Sequence, residues 1–127
     1  MTTIVQKGLA PKRLGADHKE CTQSVQAVQD ALYVLNGKWK LPIIIGLSTG
    51  PKRFRELQRV VNGITAKVLS KELKELELNE FVVRNVYTTT PITVEYELTD
   101  YSQTLDSIID ALRNWGMQHR ARILKKM

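Results

Sequence analysis

The stretch from Phe54 to Leu98 constrains the fold more than any other, because its hydrophobic period changes at defined points of punctuation. Phe54, Leu57, Val60 and Val61 share one side of a short helix, Phe54 to Val61, with Arg53, Arg55 and Arg59 left to solvent, and Asn62-Gly63 ends it. Thr65 then caps a second helix, Ala66 to Leu78, with a hydroxyl placed to accept from an unpaired first-turn amide. Ala66, Leu69, Leu73 and Leu76 recur at spacings of three and four and form its inward stripe. Lys67, Ser70, Lys71 and Lys74 fall on the opposite face at about 100° per residue. After Asn79 the period becomes two, giving strands over 81–87 and 92–98 rich in β-branched and aromatic residues, joined through Thr88 to Pro91.

The flanking sequence supplies the rest. Residues 1–20 lack sustained periodicity and read as a mobile or loosely docked arm. From Thr22, Val25, Val28, Leu32 and Leu35 mark a first helix that Asn36-Gly37 stops. Trp39, Leu41, Ile43, Ile44, Ile45 and Leu47 make an almost all-round apolar helix, buried on most sides, with an irregular start between Lys38 and Pro42. A long final helix follows Thr99 as its cap, with Leu105, Ile108, Ile109, Leu112, Trp115 and Ile123 on one stripe that needs a partner. The fold class is α+β, mainly α. Four helices, a two-stranded hairpin and a last helix, with a tight turn between the third and fourth helices, match a winged helix-turn-helix in one domain, 21–127.

The chain carries 19 Lys and Arg against 13 Asp and Glu, a formal charge of +6 that favours polyanionic partners. Its 127 residues bury one core, and no apolar run approaches the length of a membrane span. No secretion signal stands at the start. No nucleophile–base pair, glycine-rich phosphate loop or metal-ligand cluster is present, so neither an enzyme nor a cofactor is expected. Glu95 and Glu97 share a strand face, but without a histidine nearby they read as surface groups. The single cysteine, Cys21, fits a reducing cytoplasm.

A helix that turns lysines outward and leucines inward has the form required of a major-groove reader, and its N-terminal amides suit a phosphate. The candidate contacts to double-stranded DNA are Arg53, Arg55, Thr65, Ala66, Lys67, Ser70, Lys71, Lys74, Thr89 and Thr93. Arg53 and Arg55 read equally as phosphate contacts or as residues flanking Phe54. The other class of function is a winged-helix adaptor that binds protein and never touches DNA. Retention on heparin or DNA with steep salt dependence separates the two.

The chain also resembles the HxlR-type regulators. The resemblance rests on Cys21, Asn36-Gly37-Lys38-Trp39, Gly50-Pro51-Lys52-Arg53-Phe54-Arg55-Glu56-Leu57, Asn62 to Leu69, Leu73-Lys74-Glu75-Leu76 and Val94 to Thr99, over about residues 21–116. It implies a DNA-binding homodimer with the first and last helices at the interface. Ser102 and Thr93 depart from the family pattern, and the second leaves the wing short of positive charge. Trp39 and Trp115 read as core or interface residues. The resemblance permits a thiol-based redox sensor at Cys21, where a helix start and nearby cations favour thiolate. The alternative is a cysteine that only packs the helix start. His18 and Cys21 are two ligands and do not complete a metal site.

Overall fold

Asp17 opens the first helix, α1 (His18–Val34), by accepting the backbone N–H of Glu20 at 2.8 Å. The computed structural model describes residues 17–127, which divide into two units between Asn36 and Gly37. Most of the expected arm, residues 1–16, lies outside the described residues. Its last residues belong to α1, which begins four positions before Thr22 because Asp17 and Glu20 form a helix-start pattern of their own. No residue of α1 is buried, and Val25, Val28, Leu32 and Tyr33 are exposed.

The second unit is built around α2 (Lys40–Leu47), which touches α3 (Phe54–Val60), α4 (Ala66–Leu78) and the second strand of the wing. Pro42 stands in the first turn of α2, where backbone donors have no intrahelical partner, so its missing N–H costs nothing. The first bond of that helix runs from Ile43 N to Trp39 O at 3.0 Å. Ile43, Ile44 and Leu47 are buried, and Gly46 lets α3 come close: a Cβ there would lie 3.2 Å from Leu57 Cδ1 and 3.3 Å from Val60 Cγ1. Burial of α2 is less complete than its composition suggests. Ile45 is exposed and, with Trp39, Pro42 and the unexpectedly exposed Val60, lines a shallow groove of about 460 Å³.

Strands β1 (Val82–Tyr87) and β2 (Thr93–Leu98) pair antiparallel, from Val82 opposite Leu98 to Tyr87 opposite Thr93. The hairpin is tied to the helices by a bridge that sequence periodicity does not reveal. Lys52 and Tyr96 exchange backbone bonds of 3.0 and 2.8 Å, so the segment entering α3 pairs with β2. Thr99 caps a 3₁₀ helix (Asp100–Leu105) rather than the last α-helix, accepting from Ser102 N at 3.3 Å. Ser102 is buried, and its hydroxyl donates to the Thr99 carbonyl at 2.6 Å, which explains how a serine fits there. Helix α5 (Asp106–Lys125) follows. It buries no residue: Ile108, Leu112, Trp115 and Ile123 are exposed, and the Trp115 ring stacks on His119 at 4.8 Å.

Candidate nucleic-acid interface

Helix α4 occupies the span its leucine pattern predicts. Leu69, Leu73 and Leu76 are at most 1% exposed and anchor its rear against the core. Each fully buried leucine contributes about 1.5–3 kcal/mol, so a rotation of the helix large enough to bring these leucines to the surface would carry a prohibitive cost. The Thr65 hydroxyl accepts the Val68 N–H at 3.2 Å, fixing the first turn. Ala66, expected on the inward stripe, is exposed, because it lies at the edge of the arc centred on Leu69, Leu73 and Leu76.

Lys67, Lys71 and Lys74 are exposed and Ser70 half-buried, all on the face opposite the leucines. None of the three lysines forms an ion pair among the described residues. Their charges are therefore available to a ligand. Arg53 stands at the N-cap of α3 and Arg55 in its first turn, both exposed, while the Glu56 carboxylate accepts the Arg53 backbone N–H at 3.1 Å. With Arg59 they border a groove of about 870 Å³ between α3 and the wing, lined also by Phe54, Ile92 and Val94 and by the carboxylates Glu56 and Glu95. Phe54 is half-buried, so the arginines both flank it and face the groove. Arg59 was visible in the sequence only as a solvent-facing residue.

The wing threonines are engaged within the turn. Thr89 Oγ1 donates to the Pro91 carbonyl at 2.7 Å and lies 3.1 Å from Thr93 Oγ1. Thr89 and Thr93 would reach a phosphate as donors only by giving up these bonds. Cys21 is exposed in the first turn of α1, and its own N–H is bonded to Asp17 O at 2.8 Å, so the free amides of that helix start lie upstream of it.

One feature of α4 has no counterpart in the periodicity. Lys40, in the first turn of α2, is 1% exposed, and its ammonium donates to Glu72 at 2.6 Å and also to Glu75, both on α4. Burial alone would pull the Lys40 pKa down. The hydrogen bonds and charges of Glu72 and Glu75 together outweigh it and hold the group above its ordinary value. The hydrogen bond from Lys40 pushes the Glu75 carboxyl below its ordinary value against partial burial, and the charges of Lys40 and Lys71 add to the effect. A signal was present in the sequence: one lysine inside an otherwise apolar helix, and glutamates three apart on α4 among residues that pass for a solvated face.

Residues 34–123 match the HxlR-like helix-turn-helix family. The uncharacterized HTH-type transcriptional regulator YtcD of Bacillus subtilis (strain 168) is 42% identical over 97 residues, covering 76% of this chain and 77% of its own. Among solved structures, the redox regulator HypR in its reduced form superposes with a TM-score of 0.72 at 37% identity, over 80% of this chain and 99% of that one. The reduced form of the transcriptional regulator YodB from B. subtilis gives 0.65 at 37% identity, over 72% and 90%. With its winged helix-turn-helix architecture and these relatives, the chain belongs to the HxlR-like helix-turn-helix family of transcriptional regulators.

Proposed function

We propose that the protein is a cytoplasmic homodimeric regulator that places the two α4 helices of the dimer in successive major grooves of double-stranded DNA, about 34 Å apart. The observation that carries this reading is the outward face of α4, where Lys67, Lys71 and Lys74 stand exposed and form no ion pair among the described residues while leucines anchor the rear of the helix. Lys67, Ser70 and Lys71 contact base edges and phosphates, with Lys74 at the margin. Thr65 and Ala66 bring the first-turn amides to a phosphate. Arg53 and Arg55 follow the backbone from α3, with the wing threonines contributing less. A formal charge of +6 per chain makes association steeply salt-dependent.

Two further parts of the reading rest on exposure. The apolar residues that α5 presents to solvent, and those that α1 presents, supply surface for a second copy of the chain. Cys21 is an exposed thiol, and HypR has been solved in reduced and oxidized forms and YodB in reduced and diamide-treated forms. Oxidation at Cys21 is accordingly assigned to control DNA affinity.

The test is selection of duplexes from a randomised pool, followed by Lys67→Ala with Lys71→Ala. Loss of selected-duplex binding, with helix content and oligomeric state unchanged and a salt slope shallower by up to about 4, one for each of the two lysines on the two α4 helices, supports the assignment. Unaltered footprinting by the double variant refutes it. For Cys21, oxidant should change wild-type affinity and leave Cys21→Ser unaffected; equal responses exclude sensing.

A further inference from the structure

We propose that Lys40 is the positioning residue of the recognition helix, holding α4 through Glu72 and Glu75 in the one rotation and axial placement from which it can discriminate DNA sequences. This inference rests on the reading of α4 as the DNA-contacting element and adds what sets its aim.

A lysine on a helix whose other inward residues are Ile43, Ile44 and Leu47 is a poor choice for stability. Taking the charges of a buried ion pair out of water offsets most of their attraction, and apolar residues of the same volume commonly hold a core as well or better. Direction is what the pair adds. The contacts of Leu69, Leu73 and Leu76 are non-directional and tolerate small rotations and slides. An ammonium bonded to two carboxylates does not.

Glu72 and Glu75 are three positions apart, hence nearly one turn along α4, so one bond restrains rotation and the pair restrains translation. Lys40 itself sits in the first turn of α2, the helix on which α3, α4 and β2 converge. The clamp therefore references α4 to the centre of the unit. Glu75 also stands between the clamp and the outward face, since the charge of Lys71 acts on it as well.

Base readout and phosphate attraction respond differently to a small misplacement of α4. Hydrogen bonds to base edges require aligned donors, and each lost bidentate contact costs about tenfold or more in discrimination. Attraction between lysines and phosphates persists through such a shift. A positioning role thus predicts lost discrimination with retained general affinity, which a merely stabilising role does not.

The experiment uses the full chain, a duplex selected by the wild-type protein from a randomised pool, and the same duplex scrambled. Lys40→Met with Glu72→Leu removes the clamp without changing net charge and leaves Glu75 free to turn to water. The expected result is a ratio of selected to scrambled affinity lowered about tenfold or more, with scrambled affinity and salt slope as in wild type. Glu75→Gln, compared with Glu77→Gln as a control for charge on the same helix, weakens the clamp without burying anything new and keeps the test decisive if the double variant fails to fold. Its ratio should fall below that of the control by about threefold, a partial loss of one such contact. If wild type selects and discriminates DNA but the clamp variants discriminate equally well, the positioning proposal is overturned and the DNA reading stands. If wild type selects no sequence, both fall together.

Discussion

The backbone N–H of Phe81 bonds to the carbonyl of Leu76 at 3.0 Å, reaching five residues back across the end of α4. With Glu80 N bonded to Glu77 O, also at 3.0 Å, this closes the helix in the two-bond pattern that normally places glycine in the left-handed region. Here that position is Glu80, at φ 67°. A Cβ in that region costs about 1–2 kcal/mol. Glycine's extra freedom in the unfolded chain returns about 0.4–1 kcal/mol of any relief. Glu80→Gly is expected to stabilise the protein by about 0.5–1 kcal/mol net. The check is a higher urea midpoint at unchanged slope; a lower midpoint contradicts the account.

The turn between α3 and α4 makes the opposite use of the same region. Gly63 has φ 88°, and the nearest atom to an added Cβ is Trp39 Cη2 at 3.9 Å, so space is available and only the backbone objects. Gly63→Ala is expected to cost about 1 kcal/mol, and Gly63→Asn less, since asparagine tolerates the left-handed region. Equal stability of all three proteins in urea would show that the turn relaxes to a negative φ.

What could be read in advance divides along local and tertiary lines. The leucine spacing and the Thr65 cap give α4 its bounds, and the change from a 3.6 to a 2.0 period locates the hairpin, because these features are set by residues within a turn or a strand of each other. The end of α4 was legible from the period shift although no glycine marks it. The lone lysine of α2 is visible in the sequence, but its pairing with Glu72, 32 residues away, is not legible there, nor is the Lys52–Tyr96 bridge, because nothing local to either residue names its partner. Ala66 and Val60 fit apolar patterns yet lie exposed, since a pattern fixes a face but not how far the core extends around it. The break between the 3₁₀ helix and α5 likewise has no counterpart in the apolar period, which runs on from Leu105 to Ile108 and Ile109.

Stability should follow the clamp at both ends of the pH scale. Glu75 has a depressed pKa, so its contribution is fully present above its ordinary value of 4.5 and is lost as pH falls through the lower folded value. Lys40 has a raised pKa, so its contribution is present below its ordinary value of 10.5 and is lost as pH rises through the higher folded value. The stability difference between wild type and Glu75→Gln, measured in urea from pH 2 upwards, is therefore expected to vanish at the acid end and to reach a plateau above about pH 5. A difference independent of pH would show that ionisation of Glu75 is irrelevant. Lys40→Met alone leaves Glu72 buried beside no cation and should cost about 3–5 kcal/mol, far more than the double variant with Glu72→Leu.

Leu112 is 51% exposed and Trp115 62% exposed on the same stripe of α5 as Ile108, an arrangement that wastes apolar surface unless another chain covers it. If that chain is a second copy, two Leu112 side chains are buried per dimer by symmetry. Replacing Leu112 with a charge then forfeits about 1 kcal/mol of burial per copy, since half of the side chain is already covered within one chain, and adds the cost of desolvating a carboxylate. Leu112→Asp is expected to raise the dimer dissociation constant by at least about a hundredfold, at roughly tenfold per 1.4 kcal/mol. In sedimentation equilibrium the wild type should show twice the chain mass and the variant a single mass. The urea midpoint of wild type, and not of the variant, should rise with protein concentration. A variant that sediments as wild type does would remove α5 from the interface, and with it the geometry that sets two α4 helices one turn of duplex apart.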